Sequence, residues 1–238
     1  MKTAFITGAN RGLGLGFVEY LLGQGMLVFA GARDVTKFDP KLKDNPNFRA
    51  ISIDVSEDSS IEKAVTEVSK EITQLDFLIN NAGVNKDTAT NNHKEKVTIL
   101  SKLDRQTLLT MFNINSIAPV IVLQKFLPLL TGNPSFVINI SSCRASFHDE
   151  FEQENATGNY GYKTSKIALN MMTYCSLHDL PVNVKIFAVH PGSVKSHMNP
   201  GGTQQPIDQA KKIVEITKNW KEELNGKFLR FDGNLYPL

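Results

Sequence analysis

Residues 4–14 read AFITGANRGLG, a short apolar run that ends in a turn carrying Gly8, Gly12 and Gly14. The run predicts a β-strand, and the apolar residues that follow the turn predict a helix beginning near Gly12. Glycines at such a turn let the backbone bend sharply and approach the phosphates of a dinucleotide at the helix N-terminus. A tight strand-to-helix turn without a ligand would have the same glycines.

The rest of the chain repeats this alternation of strand and helix. The apolar runs are too continuous to alternate with polar residues, which is typical of parallel strands covered by helices on both faces. Further strands are predicted at LVFAGA (27–32), RAISI (49–53), DFLIN (76–80), FVINIS (136–141) and VKIFAVH (184–190), and helices at 12–23, 59–73, 104–130, 162–177 and 207–224. The pattern predicts an α/β fold with a doubly wound, mostly parallel sheet of about seven strands.

Composition sets the broad class of the protein. The 238 residues carry a net charge of +2, with 41% hydrophobic and 21% charged residues, which gives no strong field for nucleic acid or a membrane surface. We therefore expect one domain, residues 1–238, in which no apolar run approaches the ~18 residues of a membrane span. Two cysteines and five histidines without metal spacing predict a reducing compartment, a cytoplasmic location and no metal.

Two polar stretches interrupt the alternation, at residues 85–102 and 144–159. Both predict surface insertions rather than linkers between domains, because they are short and lie inside the α/β pattern. A third segment, residues 195–206, is rich in Gly and Pro and follows the last predicted strand. We expect it to be a short lid over a substrate cleft.

Tyr162 and Lys166 lie four residues apart in a predicted helix. This spacing stacks their side chains on one face, where the ammonium would favour ionisation of the phenol. An unperturbed tyrosine has a pKa near ~10, so it needs such a cation to exchange protons near neutral pH. Tyr160 is the competing candidate, but its fourth neighbour is Thr164, which carries no charge.

Five motifs occur together in the order and approximate spacing of the short-chain dehydrogenase/reductase family, which the chain resembles over nearly its whole length. They are TGANRGLG (7–14), NNAG (80–83), the serine pair 141–142, YKTSK (162–166) and PG (191–192). The resemblance implies a Rossmann fold. It also implies four catalytic residues: Tyr162 as general acid, Lys166 lowering its pKa, Ser142 binding the substrate carbonyl and Asn115 anchoring a water.

The resemblance implies a dinucleotide site as well. Besides Tyr162 and Lys166, its expected residues are Gly8, Asn10, Arg11, Gly12, Leu13, Gly14, Arg33, Asp54, Val55, Asn81, Ala82, Gly83, Pro191, Gly192, Val194 and Ser196. NAD sites place an acid after the second strand, whereas 2′-phosphate recognition needs a cation. Arg33 stands at that position and Arg11 lies in the glycine turn, so the sequence favours NADP(H), although Asp34 directly follows Arg33.

Within the family, the motifs and the ending NGKFLRFDGNLYPL are similar to the sniffer-type and C-factor-like carbonyl reductases. The resemblance implies NADPH-dependent reduction of a small ketone, aldehyde or quinone. Two alternatives stay open: reduction of a 3-oxoacyl thioester, and an NADP(H)-binding signalling or regulatory protein of C-factor type. Helices 104–130 and 162–177 form homodimer interfaces in many relatives, but the polar insertions could block them here.

Overall fold

The computed structural model describes residues 1–85, 100–132, 134–152 and 158–238. The strands in this part of the chain are β1 (Thr3–Thr7), β2 (Leu27–Ala32), β3 (Phe48–Ser52), β4 (Phe77–Asn80), β5 (Ser135–Ile140), β6 (Val184–His190) and β7 (Phe228–Arg230). They form one parallel sheet in the order β3-β2-β1-β4-β5-β6-β7. The predicted doubly wound α/β fold is therefore confirmed. Strand β7 is missing from the sequence prediction because its three residues give no periodic signal.

The helices are α1 (Gly12–Gly23), α2 (Pro40–Lys43), α3 (Asp58–Ser69), α4 (Arg105–Phe112), α5 (Ala118–Phe126), α6 (Phe147–Glu152), α7 (Tyr160–Leu177) and α8 (Pro206–Lys218). Helices α1 and α8 pack together over one face of the sheet, with Phe17 and Ile213 in their core. On the other face, Ile61 of α3 and Phe126 of α5 belong to a second core. Burial on both faces explains why the strands are continuously apolar.

The helix predicted over 104–130 is confirmed as one continuous helical stretch, Arg105–Leu129, whose hydrogen-bond pattern changes along its length. The chain forms α4, then a π-helical segment at Asn113–Ile117, then α5 and a short 3₁₀ turn at Leu127–Leu129. Asp104 begins this region by accepting a hydrogen bond from the Thr107 amide at 2.7 Å. Pro119 has no amide hydrogen to donate, and it lies just after the π-helical segment, where the regular α-helical pattern is interrupted. The π segment places Asn115 in the site described below.

The stretch Arg105–Leu129 also corrects the expectation about apolar runs. By length and mean hydropathy, 1.4, it could cross a bilayer. Its buried share is 39%, and its inner face packs in the core of the sheet. Core helices of globular proteins meet the same criterion, so the finding is weak evidence for a membrane span.

The second polar stretch contains regular structure in its described part. Residues Cys143–Ala145 make a 3₁₀ turn and α6 follows directly, so part of this stretch is regular structure beside β5. Most of the first stretch, residues 86–99, lies outside the described residues, as do residues 153–157 of the second. Both stretches therefore stay predicted insertions.

His190, the last residue of β6, is largely buried against the ring of Tyr236. Burial lowers its pKa from 6.5 to about 4, while the nearby charges of Asp149 and Arg230 act in opposite directions. The unfolded chain therefore binds a proton near pH 6.5 that the folded protein does not accept until pH is near 4. Folding stability contributed through this residue must fall as pH drops through that interval.

We expect His190→Gln to remove much of this acid sensitivity. Because the folded protein keeps His190 unprotonated, its free energy of unfolding is lower by roughly 3 kcal/mol at pH 4 than at pH 7, at about 1.4 kcal/mol per pKa unit. Thermal unfolding from pH 7 to pH 4 should therefore show a smaller loss of Tm in His190→Gln than in the wild type. The exposed His197, changed to Gln, is the control. Equal acid sensitivity of His190→Gln and the wild type would contradict this account.

Candidate active site

The glycine turn after β1 packs so closely against its surroundings that it leaves no room for larger side chains at Gly8 and Gly14. Gly8 and Gly12 have positive φ values of +64° and +54°, a conformation that other residues rarely adopt. A Cβ on Gly14 would lie 2.2 Å from the Gly8 carbonyl oxygen. The backbone therefore lines an open approach to the N-terminus of α1, where the first helical amides have no partners within the helix and no side chain caps them.

The end of β2 lies beside this turn, because the Ala9 amide donates to the Gly31 carbonyl at 2.9 Å. Arg33 follows β2 and is exposed, as is Arg11 at the start of α1. Asp34 is occupied elsewhere: its carboxylate accepts hydrogen bonds from the Thr36 amide and hydroxyl at 3.0 and 2.5 Å. Asp34, the acid that directly follows Arg33, thus caps a local turn, so its position does not count against recognition of a 2′-phosphate by Arg33.

Asp54 lies after β3 at the same edge. Its carboxylate accepts from the Ser56 amide and hydroxyl at 3.0 and 2.7 Å. Burial raises its pKa, but the Ser56 hydrogen bonds and the charge of Arg33 together hold it below the usual value. Arg33 and Asp54 therefore face the same part of the edge, where the sequence places the adenosine of a dinucleotide.

The NNAG segment after β4 is fastened to the glycine turn. The Asn81 side-chain amide donates to the carbonyls of Thr7 and Gly8, both at 3.0 Å. The Thr7 hydroxyl accepts from the backbone amides of Asn81 and Ala82, also at 3.0 Å. The Asn81 side chain therefore holds the glycine turn in place. The motif alone does not reveal this role.

Asn115 is fully buried and joins three parts of the fold. Its amide oxygen accepts from the Val84 amide at 2.8 Å, and its amide nitrogen donates to the Val84 carbonyl at 2.8 Å. The same nitrogen donates to the Ser165 hydroxyl on α7 at 3.0 Å. The side chain therefore anchors the NNAG segment and α7, while the predicted link to a water stays a prediction.

Lys166 is buried on α7, and its ammonium donates to the Ile140 carbonyl at the end of β5 at 2.7 Å. Burial lowers its pKa to about 8. A Cβ on Gly83 would lie 3.7 Å from the nitrogen and 3.3 Å from the Asn115 amide oxygen. Gly83, Asn115 and Lys166 thus converge at one point between β4 and α7.

Tyr162 meets Ser142 at this point. The Ser142 hydroxyl accepts from the Arg144 amide at 3.2 Å. It also lies close enough to the Tyr162 phenol to lower the pKa of that group. The Lys166 nitrogen lies 6.0 Å from the centroid of the Tyr162 ring. Tyr160 is 39% exposed at the start of α7, so the structure brings only Tyr162 of this pair to the site.

The effect of Lys166 on the pKa of Tyr162 stays a prediction, because other groups set that pKa in the chain alone. Burial has the largest effect and raises the pKa of Tyr162 above its usual value. The groups that lower it are the Ser142 hydroxyl and the charge of Arg144, while the Lys166 ammonium is directed at a backbone carbonyl. Desolvation favours the neutral phenol, so Tyr162 carries its proton at neutral pH.

The segment after β6 closes the site from the other side. Gly192 has a positive φ of +83°, and Val194 is bridged to Gln204. A Cβ on Gly12 would lie 3.3 Å from the Ser196 Cβ, so the start of the predicted lid, residues 195–206, lies against the glycine turn. The buried Gln209 amide donates to the carbonyl oxygen of Pro191 and to Gln204, both at 2.7 Å.

The remaining predicted cofactor residues lie around the same edge of the sheet. Asn10 is half-buried in the glycine turn, Leu13 is buried in the first turn of α1, and Val55 is half-buried after β3. Sequence reasoning missed Thr7, Val84, Ile140, Ser165 and Gln209 as partners of the site. Val84 and Ile140 act through backbone groups that every residue type supplies, so no motif could single these two out.

Comparisons with known proteins agree with the fold. The model of the short chain dehydrogenase family matches residues 2–206. A short-chain dehydrogenase of Pyricularia oryzae is 30% identical over 255 residues, covering 99% of this chain and 98% of its own. An uncharacterized oxidoreductase of Schizosaccharomyces pombe is 27% identical over 259 residues, covering 99% and 98%.

Two solved structures share the fold along its whole length. The NADPH-bound carbonyl reductase from chicken fatty liver has a TM-score of 0.86 and 28% identity, covering 100% of this chain and 99% of its own. The carbonyl reductase Sniffer of Drosophila melanogaster has a TM-score of 0.83 and 27% identity, covering 100% of both chains. The predicted family and its similarity to sniffer-type reductases are thus confirmed, and the chain belongs to the short-chain dehydrogenase family.

Proposed function

We propose that the protein is an NADPH-dependent reductase of a small carbonyl compound, a ketone, aldehyde or quinone. The observation that carries this proposal is the meeting of the Tyr162 phenol with the Ser142 hydroxyl, beside a buried Lys166 and a glycine turn. This arrangement puts a proton donor and a carbonyl-binding hydroxyl next to a dinucleotide cradle. The named carbonyl reductases among the similar structures support the same assignment.

The residues present fit NADP(H). The open glycine turn and the uncapped N-terminus of α1 suit a pyrophosphate. Arg33 and Arg11 offer guanidinium groups for a 2′-phosphate, and the carboxylate of Asp34 is turned to its own cap. When bound, the reduced nicotinamide supplies the hydride.

The chain's own residues supply the proton. Ser142 donates a hydrogen bond to the oxygen of the substrate carbonyl and orients it toward the Tyr162 hydroxyl. Because burial keeps Tyr162 protonated, the phenol is ready to donate its proton as negative charge develops on that oxygen. Lys166, fixed by the Ile140 carbonyl, places positive charge near the phenolate that remains.

Replacing Tyr162 with Phe tests the proton donor. General acid catalysis typically contributes 10²–10⁴-fold, so we expect kcat for NADPH oxidation with a reacting carbonyl to fall at least about 100-fold. The dissociation constant for NADPH, measured by fluorescence, should change less than about threefold. Tyr160→Phe makes the same chemical change two residues away and should retain activity.

Retention of activity in Tyr162→Phe would contradict this mechanism. A wild-type protein that binds NADPH tightly but reduces no compound in a broad carbonyl panel would favour the regulatory alternative. Reaction with a 3-oxoacyl thioester alone would favour the thioester reductase.

Arg33→Gln tests the choice of cofactor. A hydrogen bond to a charged group contributes about 1.5–3 kcal/mol, so we expect NADPH affinity to fall roughly 10- to 100-fold while NADH affinity stays nearly constant. Lys37→Gln removes an equally charged side chain that is 68% exposed nearby and is the control. An equal loss for both cofactors would mean that Arg33 does not read the 2′-phosphate.

We also infer that a second copy of the chain covers the outer face of α4, α5 and α7. The exposed apolar residues include Leu109 (56%) on α4, Ile117 (42%) in the π-helical segment before α5, and Met171 (62%) and Tyr174 (47%) on α7. Apolar side chains grouped in this way on a surface are typical of protein interfaces. A homodimer would remove them from water.

The mass in solution tests this inference. Light scattering of the wild type should give twice the 26.4 kDa of one chain. Ile117→Lys combined with Met171→Lys places charges within the proposed interface, so we expect a monomer that still binds NADPH. A wild-type monomer at micromolar concentration would exclude the dimer.

A further inference from the structure

The end of the chain folds back on β7 in a tight reversal. The Arg230 amide donates to the Asn234 carbonyl at 2.8 Å, and the Gly233 amide donates to the Arg230 carbonyl at 2.9 Å. The Tyr236 amide then donates to the Phe228 carbonyl at 2.9 Å. The backbone therefore fixes Tyr236 beside the last strand of the sheet. We call residues 231–238 the tail.

The Tyr236 ring packs between two other rings. Its centroid lies 5.2 Å from that of Phe228 and 5.2 Å from that of His190. His190 directly precedes Pro191 in the segment that closes the proposed nicotinamide end of the site. The tail thus rests on the ends of β6 and β7, next to the proposed reaction centre.

The tail is also tied to α6. The Tyr236 hydroxyl donates to the Asp149 carboxylate at 2.5 Å, and the His148 amide donates to the Leu238 carbonyl at 3.3 Å. Burial and the Asp149 charge raise the pKa of Tyr236, so the phenol remains a donor. These two hydrogen bonds join the tail to the segment that begins at Ser142.

Ala145 connects this contact to the site. It is buried in one apolar cluster with Phe228, and both Tyr236 and Ile167 of α7 pack against that cluster. The segment from Cys143 to Asp149 therefore contacts both the tail and α7, the helix that carries the proposed proton donor.

We propose that Tyr236 is a positioning residue for substrate specificity. Its hydroxyl, through Asp149, holds the Cys143-to-Asp149 segment as one wall of the substrate cleft and limits the size of the carbonyl compound that enters. This inference rests on the proposed reductase function. Tyr236 touches neither the cofactor residues nor Tyr162 in this role, so its loss affects the fit of substrate rather than hydride transfer.

Tyr236→Phe removes only the hydroxyl. Through loss of a hydrogen bond to a charged group, we expect KM for a small aliphatic carbonyl to rise about three- to tenfold, and KM for a bulky aromatic one to rise less or to fall. The value of kcat and the dissociation constant for NADPH should each change less than about twofold. Asp149→Asn should have the same effect, and the double variant should be no worse than either single variant. Tyr160→Phe, at the exposed start of α7, is the matched control.

The labelling rates of the two cysteines report the position of the Cys143-to-Asp149 segment without any substrate. Cys143 is half-buried in the wall, whereas Cys175 is exposed on α7. In Tyr236→Phe, we expect iodoacetamide to label Cys143 several-fold faster than in the wild type, with the labelling of Cys175 unchanged. Peptide mass spectrometry measures both rates in the same sample.

An active wild type whose KM values or Cys143 labelling rate do not change in Tyr236→Phe and Asp149→Asn would overturn the positioning role alone. Additive effects in the double variant, or a fall in kcat with KM unchanged, would also overturn it. A wild type that reduces no carbonyl compound would instead overturn the proposed function first, and the specificity role with it.

Discussion

The proposed active site depends on the hydrogen bonds of one buried amide, Asn115. Its oxygen and nitrogen engage both backbone groups of Val84, and its nitrogen also reaches Ser165 on α7. A buried amide without these partners would be costly, so the NNAG segment and α7 are held in one relative position. The π-helical segment between α4 and α5 puts Asn115 there. Because α7 also carries Tyr162 and Lys166, the hydrogen bonds of Asn115 set the positions of these two residues relative to the NNAG segment.

Desolvation determines the charge states at that site. Burial raises the pKa of Tyr162 and lowers that of Lys166 to about 8, so it opposes charge on both groups. The Ile140 carbonyl partly compensates the buried ammonium. The chain alone therefore holds a neutral phenol, which is the form that a proton donor needs. Formation of phenolate therefore requires charge from the reaction itself or from a bound dinucleotide.

Much of the fold could be predicted from the sequence because burial on both faces makes parallel strands largely apolar, as in β2. The glycine turn could also be predicted, since close backbone packing excludes side chains at Gly8 and Gly14. The π-helical segment between α4 and α5 could not be predicted, because the sequence there remains helical in composition. The partners of Asn115 and Lys166 were hidden for a different reason: they are backbone groups of Val84 and Ile140, which carry no residue identity. The tie between Tyr236 and Asp149 joins positions 87 residues apart and leaves no local pattern.

Transfer of hydrogen from the cofactor tests the proposed function most directly. The protein is incubated with NADPH carrying deuterium at the transferring C4 position and a carbonyl compound from the reacting panel, and the product alcohol is analysed by mass spectrometry. Hydride transfer with proton donation from Tyr162 predicts one deuterium on the carbinol carbon and a solvent-exchangeable hydrogen on the oxygen. An alcohol without deuterium, or bound NADPH with no alcohol formed from any carbonyl compound, would contradict the assignment as a reductase.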